Sequence, residues 1–151
     1  MTAFVCTRGA ATNAPVNARR IGEPVIVESE YQFASGVGPA SGDTFDVGYW
    51  PANHVLEPDL CRVRFEELDT DASPTGTLDV GTVADGDLLF DGVALGGSSA
   101  FYNHAPNVLT GYNAAAPSVD TLIRATVASA VATAATGKKI VFKLAFRQKH
   151  D

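Results

Sequence analysis

The chain has 151 residues, 46% of them hydrophobic and 19% charged, with a formal net charge of −6. The apolar share excludes a disordered chain, and the sparse charge argues against a helical bundle, whose outer face is normally charged. No run of 18 apolar residues occurs and the start lacks a basic-led apolar stretch, so the sequence predicts neither a membrane-spanning helix nor a secretory leader.

Residues 1–22 are small and polar (Thr7, Gly9, Thr12, Asn13, Pro15, Asn17) and hold neither a 2- nor a 3.6-residue period. They are predicted to form an extended arm, ordered only where something holds it, ahead of a single β-domain over 23–151. From Val25 to Phe33 apolar residues fall on odd positions while Glu28, Glu30 and Gln32 fall on even ones, which is the period of a half-buried strand. A turn-rich loop, 34–42, precedes a second alternating strand, Asp43–Trp50, with Phe45, Val47 and Tyr49 on one face and Thr44, Asp46 and Gly48 on the other; Pro51 stops it, lacking the N–H that a ladder needs.

Cys61, Val63 and Phe65 alternate with Arg62, Arg64 and Glu66 in a third strand. Residues 69–76 read as a turn and Thr77–Val83 as a short strand. Asp85 or Asp87 is placed to cap one helical turn through Leu88, Leu89 and Phe90, ending at Gly92. Residues 96–118 read as a long ordered loop carrying Phe101, Tyr102 and Tyr112. Thr121–Val127 is a strand; in 128–135 alanine favours helix while Val131 and Thr133 oppose it. The last strand is the clearest, with Ile140, Phe142, Leu144 and Phe146 on a dry face and Lys139, Lys143, Arg147 and Lys149 on a basic one. About seven short strands with almost no helix predict an all-β protein, an antiparallel β-sandwich of jelly-roll or immunoglobulin-like type with an extended N-terminal arm. Phe45, Val47, Phe65, Ile140, Phe142 and Phe146 are its predicted core.

Charge is segregated. Residues 1–22 hold Arg8, Arg19 and Arg20 and no acid, residues 23–120 hold sixteen acids against Arg62 and Arg64, and residues 121–151 hold six bases against Asp151. An acidic body argues against duplex nucleic acid as a partner, because phosphate binding needs a dense basic face. The basic C-terminal strand is instead expected beside an acidic strand, with Lys143 and Arg147 facing Glu28 and Glu30.

Residue patterns for catalysis are scarce. His54, His104 and His150 show no metal-ligand spacing, and no P-loop, GxGxxG or GxSxG occurs, so neither metal nor cofactor is predicted and the chain is read as no enzyme. Cys6 and Cys61 are expected as free thiols, Cys61 as a small buried hydrophobe. Glu66, Glu67, Asp69 and Asp71 offer paired carboxylates for glycosidase chemistry, but acids at a strand end beside a turn are normally just solvated. Asp85, Asp87 and Asp91 offer calcium oxygens, yet Leu88, Leu89 and Phe90 break the spacing of a ligand loop. Tyr49 and Trp50 are either core and rim or a sugar-stacking pair.

The order of short motifs carries a resemblance: Gly42-Asp43 opening a strand that runs to Gly48, Pro51-Ala52-Asn53, Glu67-Leu68-Asp69-Thr70, Thr77-Leu78-Asp79-Val80-Gly81-Thr82, Asp85 to Gly92, then an alanine/threonine stretch with Gly137 and a final alternating strand. Over about residues 20–147 this resembles small structural proteins of tailed bacteriophages of the head-decoration or cementing kind. The resemblance implies a non-enzymatic virion component on the capsid exterior, made in the bacterial host cytoplasm. Its implied partners are the major capsid protein and further copies of itself, as a dimer or trimer, with no membrane partner. Such a role places the docking segment in the arm, at Phe4, Val5, Arg8, Arg19 and Arg20. The alternative is a carbohydrate-binding sandwich for host-surface recognition, anchored on Trp50.

Overall fold

The computed structural model describes residues 3–5, 24–33, 38–96, 102–104 and 115–149. Ten strands follow in chain order: β1 (Ala3–Val5), β2 (Val25–Gln32), β3 (Thr44–Trp50), β4 (His54–Leu56), β5 (Arg62–Phe65), β6 (Thr77–Thr82), β7 (Phe90–Ala94), β8 (Tyr102–His104), β9 (Thr121–Ser129) and β10 (Lys139–Gln148). The helical content of the described residues is one 3-10 turn at Pro58–Leu60. One sheet runs β1-β3-β9-β6-β7; the other runs β2-β10-β5-β8, with β4 also paired to β10. Apart from β1, which lies parallel to β3, every strand pair is antiparallel. The all-β sandwich expected from the strand periods is the fold observed.

The alternation in β2 sets its faces: Val25, Val27 and Ser29 are buried against the other sheet while Ile26 and Glu28 face outward. β10 lies at the centre of its sheet, paired to β2 along one side and to β4 and β5 along the other. Its inward residues Ile140, Phe142, Leu144 and Phe146 are all buried, as are Phe45, Val47 and Phe65, so every predicted core residue is buried, within a larger core that also takes in Trp50, Leu68, Leu89 and Phe90. A β-bulge between Asp46 and Gly48 shifts the register of β3 against β9. A Cβ at Gly48 would stand 2.6 Å from Val27 Cγ1, so glycine is what lets the two sheets approach here.

Several connections differ from the sequence reading. His54–Leu56 is a strand, because the turn after Pro51, with Asn53 at φ 57°, swings the chain onto β10. β4 and β5 are in effect one strand interrupted by the Pro58 turn, where Glu57 N–H still donates to Ala145 O at 2.8 Å. The helical turn expected at Leu88–Phe90 is absent. Leu89 N–H donates to Val80 O, and Phe90 begins β7, since both side chains are fully buried and ladder pairing keeps them there. Residues 128–135 form no helix; β9 runs through Ser129 and an irregular segment follows. Within 96–118 the described part includes strand β8, paired to β5, while Phe101 and Tyr112 lie outside the described residues.

Candidate functional site

The residues singled out for chemistry are each placed by the fold. Trp50 is 2% exposed; its ring packs 5.5 Å from that of Phe146 and its Nε1–H donates to His54 O at 2.7 Å. It is core, which removes it as a sugar-stacking platform, while Tyr49 is half-buried. Cys61 is fully buried, accepts a hydrogen bond from Ala145 N–H and donates to Glu57 O, both at 3.3 Å. Burial pushes its thiol up to about 11 despite the Ala145 N–H. His54 Nδ1 lies 2.7 Å from Ala52 O. Cys6 and His150 lie outside the described residues. Among the described residues no three of His, Cys, Asp and Glu gather as a metal site.

The acidic run is split by the fold rather than gathered. Glu66 pairs with Lys138 at 3.5 Å, and Asp71 turns back to accept from Ser73 N–H. Asp69, expected to be solvated, is fully buried. Its Oδ1 accepts from the N–H of Asp71 and Thr133, and its Oδ2 from the N–H of Thr75, Gly76 and Ala132, at 3.0–3.3 Å. Burial alone would raise this carboxyl, but the backbone N–H groups more than offset it and hold Asp69 below the usual carboxylate range. The side chain staples the 69–76 turn to the segment after β9. Its signal in the sequence is Asp69 followed by Ser, Pro, Thr and Gly, a turn composition in which a carboxylate collects backbone donors.

Interaction surfaces remain. On one flank Ala3–Val5 pairs in parallel with Thr44–Asp46 of the same chain, so the start of the arm adopts strand conformation on the β3 edge. Phe4 and Val5 are thus placed on that edge; Arg8, Arg19 and Arg20 lie outside the described residues. On the outer face of the second sheet, Lys143 stands opposite Glu28, Lys139 pairs with Glu30 at 2.9 Å, and Arg147 pairs with Glu57. On the outer face of the first sheet Arg124 binds Asp46 at 2.9 Å. At the β6–β7 connection, Asp85 N–H donates to Thr82 Oγ1 and Thr82 N–H to Asp85 O, fixing an acidic loop.

The fold has known counterparts. It superposes on a chain of the capsid of Ralstonia phage GP4 with a TM-score of 0.80 and 21% identity, over 99% of this chain and 100% of that one. It also matches a chain of the cyanophage Pam1 capsid asymmetric unit, with a TM-score of 0.67 and 21% identity, over 91% and 96%. No family model and no curated protein matches the sequence. At this identity the likeness is one of fold, and it falls on the class of particle to which the motif order pointed.

Proposed function

We propose that the chain is a non-enzymatic structural component of a tailed-phage virion. In this reading it decorates or cements the exterior of the capsid shell through the major capsid protein and neighbouring copies, as a dimer or trimer. The observation that carries this is the match to the Ralstonia phage GP4 capsid chain, which covers 99% of this chain and 100% of that one. The strand order supports a jelly roll over an immunoglobulin-like sandwich: β2-β10-β5-β8 faces β3-β9-β6-β7, so the chain alternates between sheets as two Greek keys do. Jelly rolls build many viral shells. A structural role also fits where the reactive groups went, with Asp69 in a cage of backbone donors, Cys61 buried and Trp50 in the core.

The arm is the proposed docking element, through Phe4, Val5, Arg8, Arg19 and Arg20. An extended segment presents backbone groups for strand addition, and β1 on the β3 edge is that conformation realised within one chain. Deleting residues 1–20 tests this. The sandwich keeps its melting behaviour while co-sedimentation with shells drops sharply; equal occupancy of shells by the truncated chain would place docking elsewhere.

A further inference from the structure

The outward positions of β5 and β10 carry Arg62, Arg64, Lys139, Lys143 and Arg147 and no acid, on a body that is otherwise acidic. Within this face Arg62 stands directly opposite Lys143 in the β5–β10 ladder. Like charges in that relation destabilise a sheet. Glu28, Glu30 and Glu57 answer the rim of the face, opposite Lys143, at Lys139 and at Arg147. The β5 side, where Arg62 and Lys143 adjoin, has no acid on either strand. Val141 lies half-buried in the middle, opposite Arg64 and Glu30.

The opposite case stands on the other sheet. In the β6–β7 connection Asp85 and Asp87 are both exposed, and the neighbouring Asp87 side chain favours protonation of Asp85, first as a hydrogen-bond partner of its protonated form and then as a like charge, which raises the Asp85 carboxyl. Val83 is 71% exposed beside them. The loop is built rather than slack: a Cβ at Gly81 would collide with the Asp85 carbonyl, whereas one at Gly86 would meet nothing within 4 Å, so the base is tight and the tip stands clear. A crowded basic face and a crowded acidic tip on different sheets complement each other between molecules.

We propose that the basic outer face of the β2–β10–β5 sheet docks the Val83–Asp87 loop of a second copy, with Val83 against Val141 and the two aspartates between Arg62 and Lys143. This gives an apolar centre with a charged surround, and the Arg62–Lys143 pair, which Glu28 answers only from the β2 side of Lys143, gains acids on its β5 side. The two patches differ, so a closed assembly is one in which every face meets a neighbour's loop, reciprocally in a two-fold dimer or head-to-tail in a ring. The inference deepens the virion reading above, on which it rests for the many copies.

Sedimentation of the full chain tests it, using Arg62→Glu/Lys143→Glu and Asp85→Lys/Asp87→Lys. The wild-type chain associates, and the association weakens as salt rises. Each variant alone loses at least about tenfold in association constant, because its face and its loop now carry the same sign. An equimolar mixture of the two recovers it, since each face then meets an opposite loop. A wild-type monomer, variants that associate normally, or a mixture that stays monomeric would overturn the contact. Lys143→Glu paired with Asp87→Lys repeats the test at exposed positions only, should half-buried Arg62 not tolerate exchange. Particle occupancy is scored separately: variants that fail to self-associate in the mixture yet still load onto shells refute this contact and leave the virion role standing.

Discussion

Lys143 lies directly opposite Glu28 across the β2–β10 ladder, both on the outer face. The expected neighbourhood of the basic last strand and an acidic strand is therefore real, and Lys139 with Glu30 extends it. Arg147 departs from it. The β2 ladder ends at Val25 opposite Phe146, with Pro24 beyond, so Arg147 turns to Glu57 ahead of the Pro58 turn.

A double-mutant cycle on Glu28→Ala and Lys143→Ala, read by urea denaturation, should give a favourable coupling of roughly 0.2–1 kcal/mol that shrinks with added salt. A coupling of zero or of opposite sign would mean that Arg62 rather than Glu28 dominates the surroundings of Lys143.

Asp69→Asn should be among the most destabilising polar changes available. An amide can present only one oxygen to five backbone N–H groups, and each donor left without an acceptor costs roughly 1–3 kcal/mol. Because the folded carboxyl titrates below its unfolded value of about 3.9, its contribution is fully present above that value and is lost as pH falls through the lower folded value. Wild-type stability should therefore fall below about pH 4, and Asp69→Asn should flatten that part of the profile. An unchanged acid limb in the variant would contradict the staple.

Phe142 and Ser29 face each other in the β2–β10 ladder, both inside the sandwich. Phe142→Ala should cost about 3–5 kcal/mol through lost burial and a residual cavity. Ser29 Oγ is buried without a hydrogen-bond partner, so Ser29→Ala should be neutral or stabilising. Thermal melts of the two variants decide this, and equal losses would contradict the packing described.

Cys61 should be inert to thiol reagents while the chain is folded. It is fully buried and its thiol is pushed up to about 11, so little thiolate forms near neutral pH. In a Cys6→Ser background, labelling at pH 8 should appear only with unfolding; rapid labelling of the native chain would place Cys61 at the surface.

How legible the fold was depended on whether one face of a strand was dry. β2, β5 and β10 alternate cleanly because each has one buried and one wet face, and their periods carried both the fold class and the core. β4 and β7 were missed for opposite reasons. His54–Leu56 is too short to show a period, and its pairing depends on the turn at Asn53. At Leu88–Phe90 three consecutive apolar residues imitate a helical turn, and only the pairing of β6 with β7 decides otherwise. The turn composition after Asp69 signals the donors at Asp71, Thr75 and Gly76 but not its burial, which depends on Ala132 and Thr133 from a segment about 60 residues away. The two charged surfaces were legible as composition but not as places, since Arg62 and Lys143 meet only through the register of β5 on β10.

The central claim is that this sandwich is a subunit of a phage particle. A cryo-electron-microscopy reconstruction of native virions purified from an infected lysate tests it most directly. The account predicts two-sheet density on the outside of the shell, matching the order β2-β10-β5-β8 against β3-β9-β6-β7, in multiple symmetry-related copies with the arm reaching a neighbour. A complete shell without that density, from particles in which mass spectrometry detects none of the chain, would contradict it.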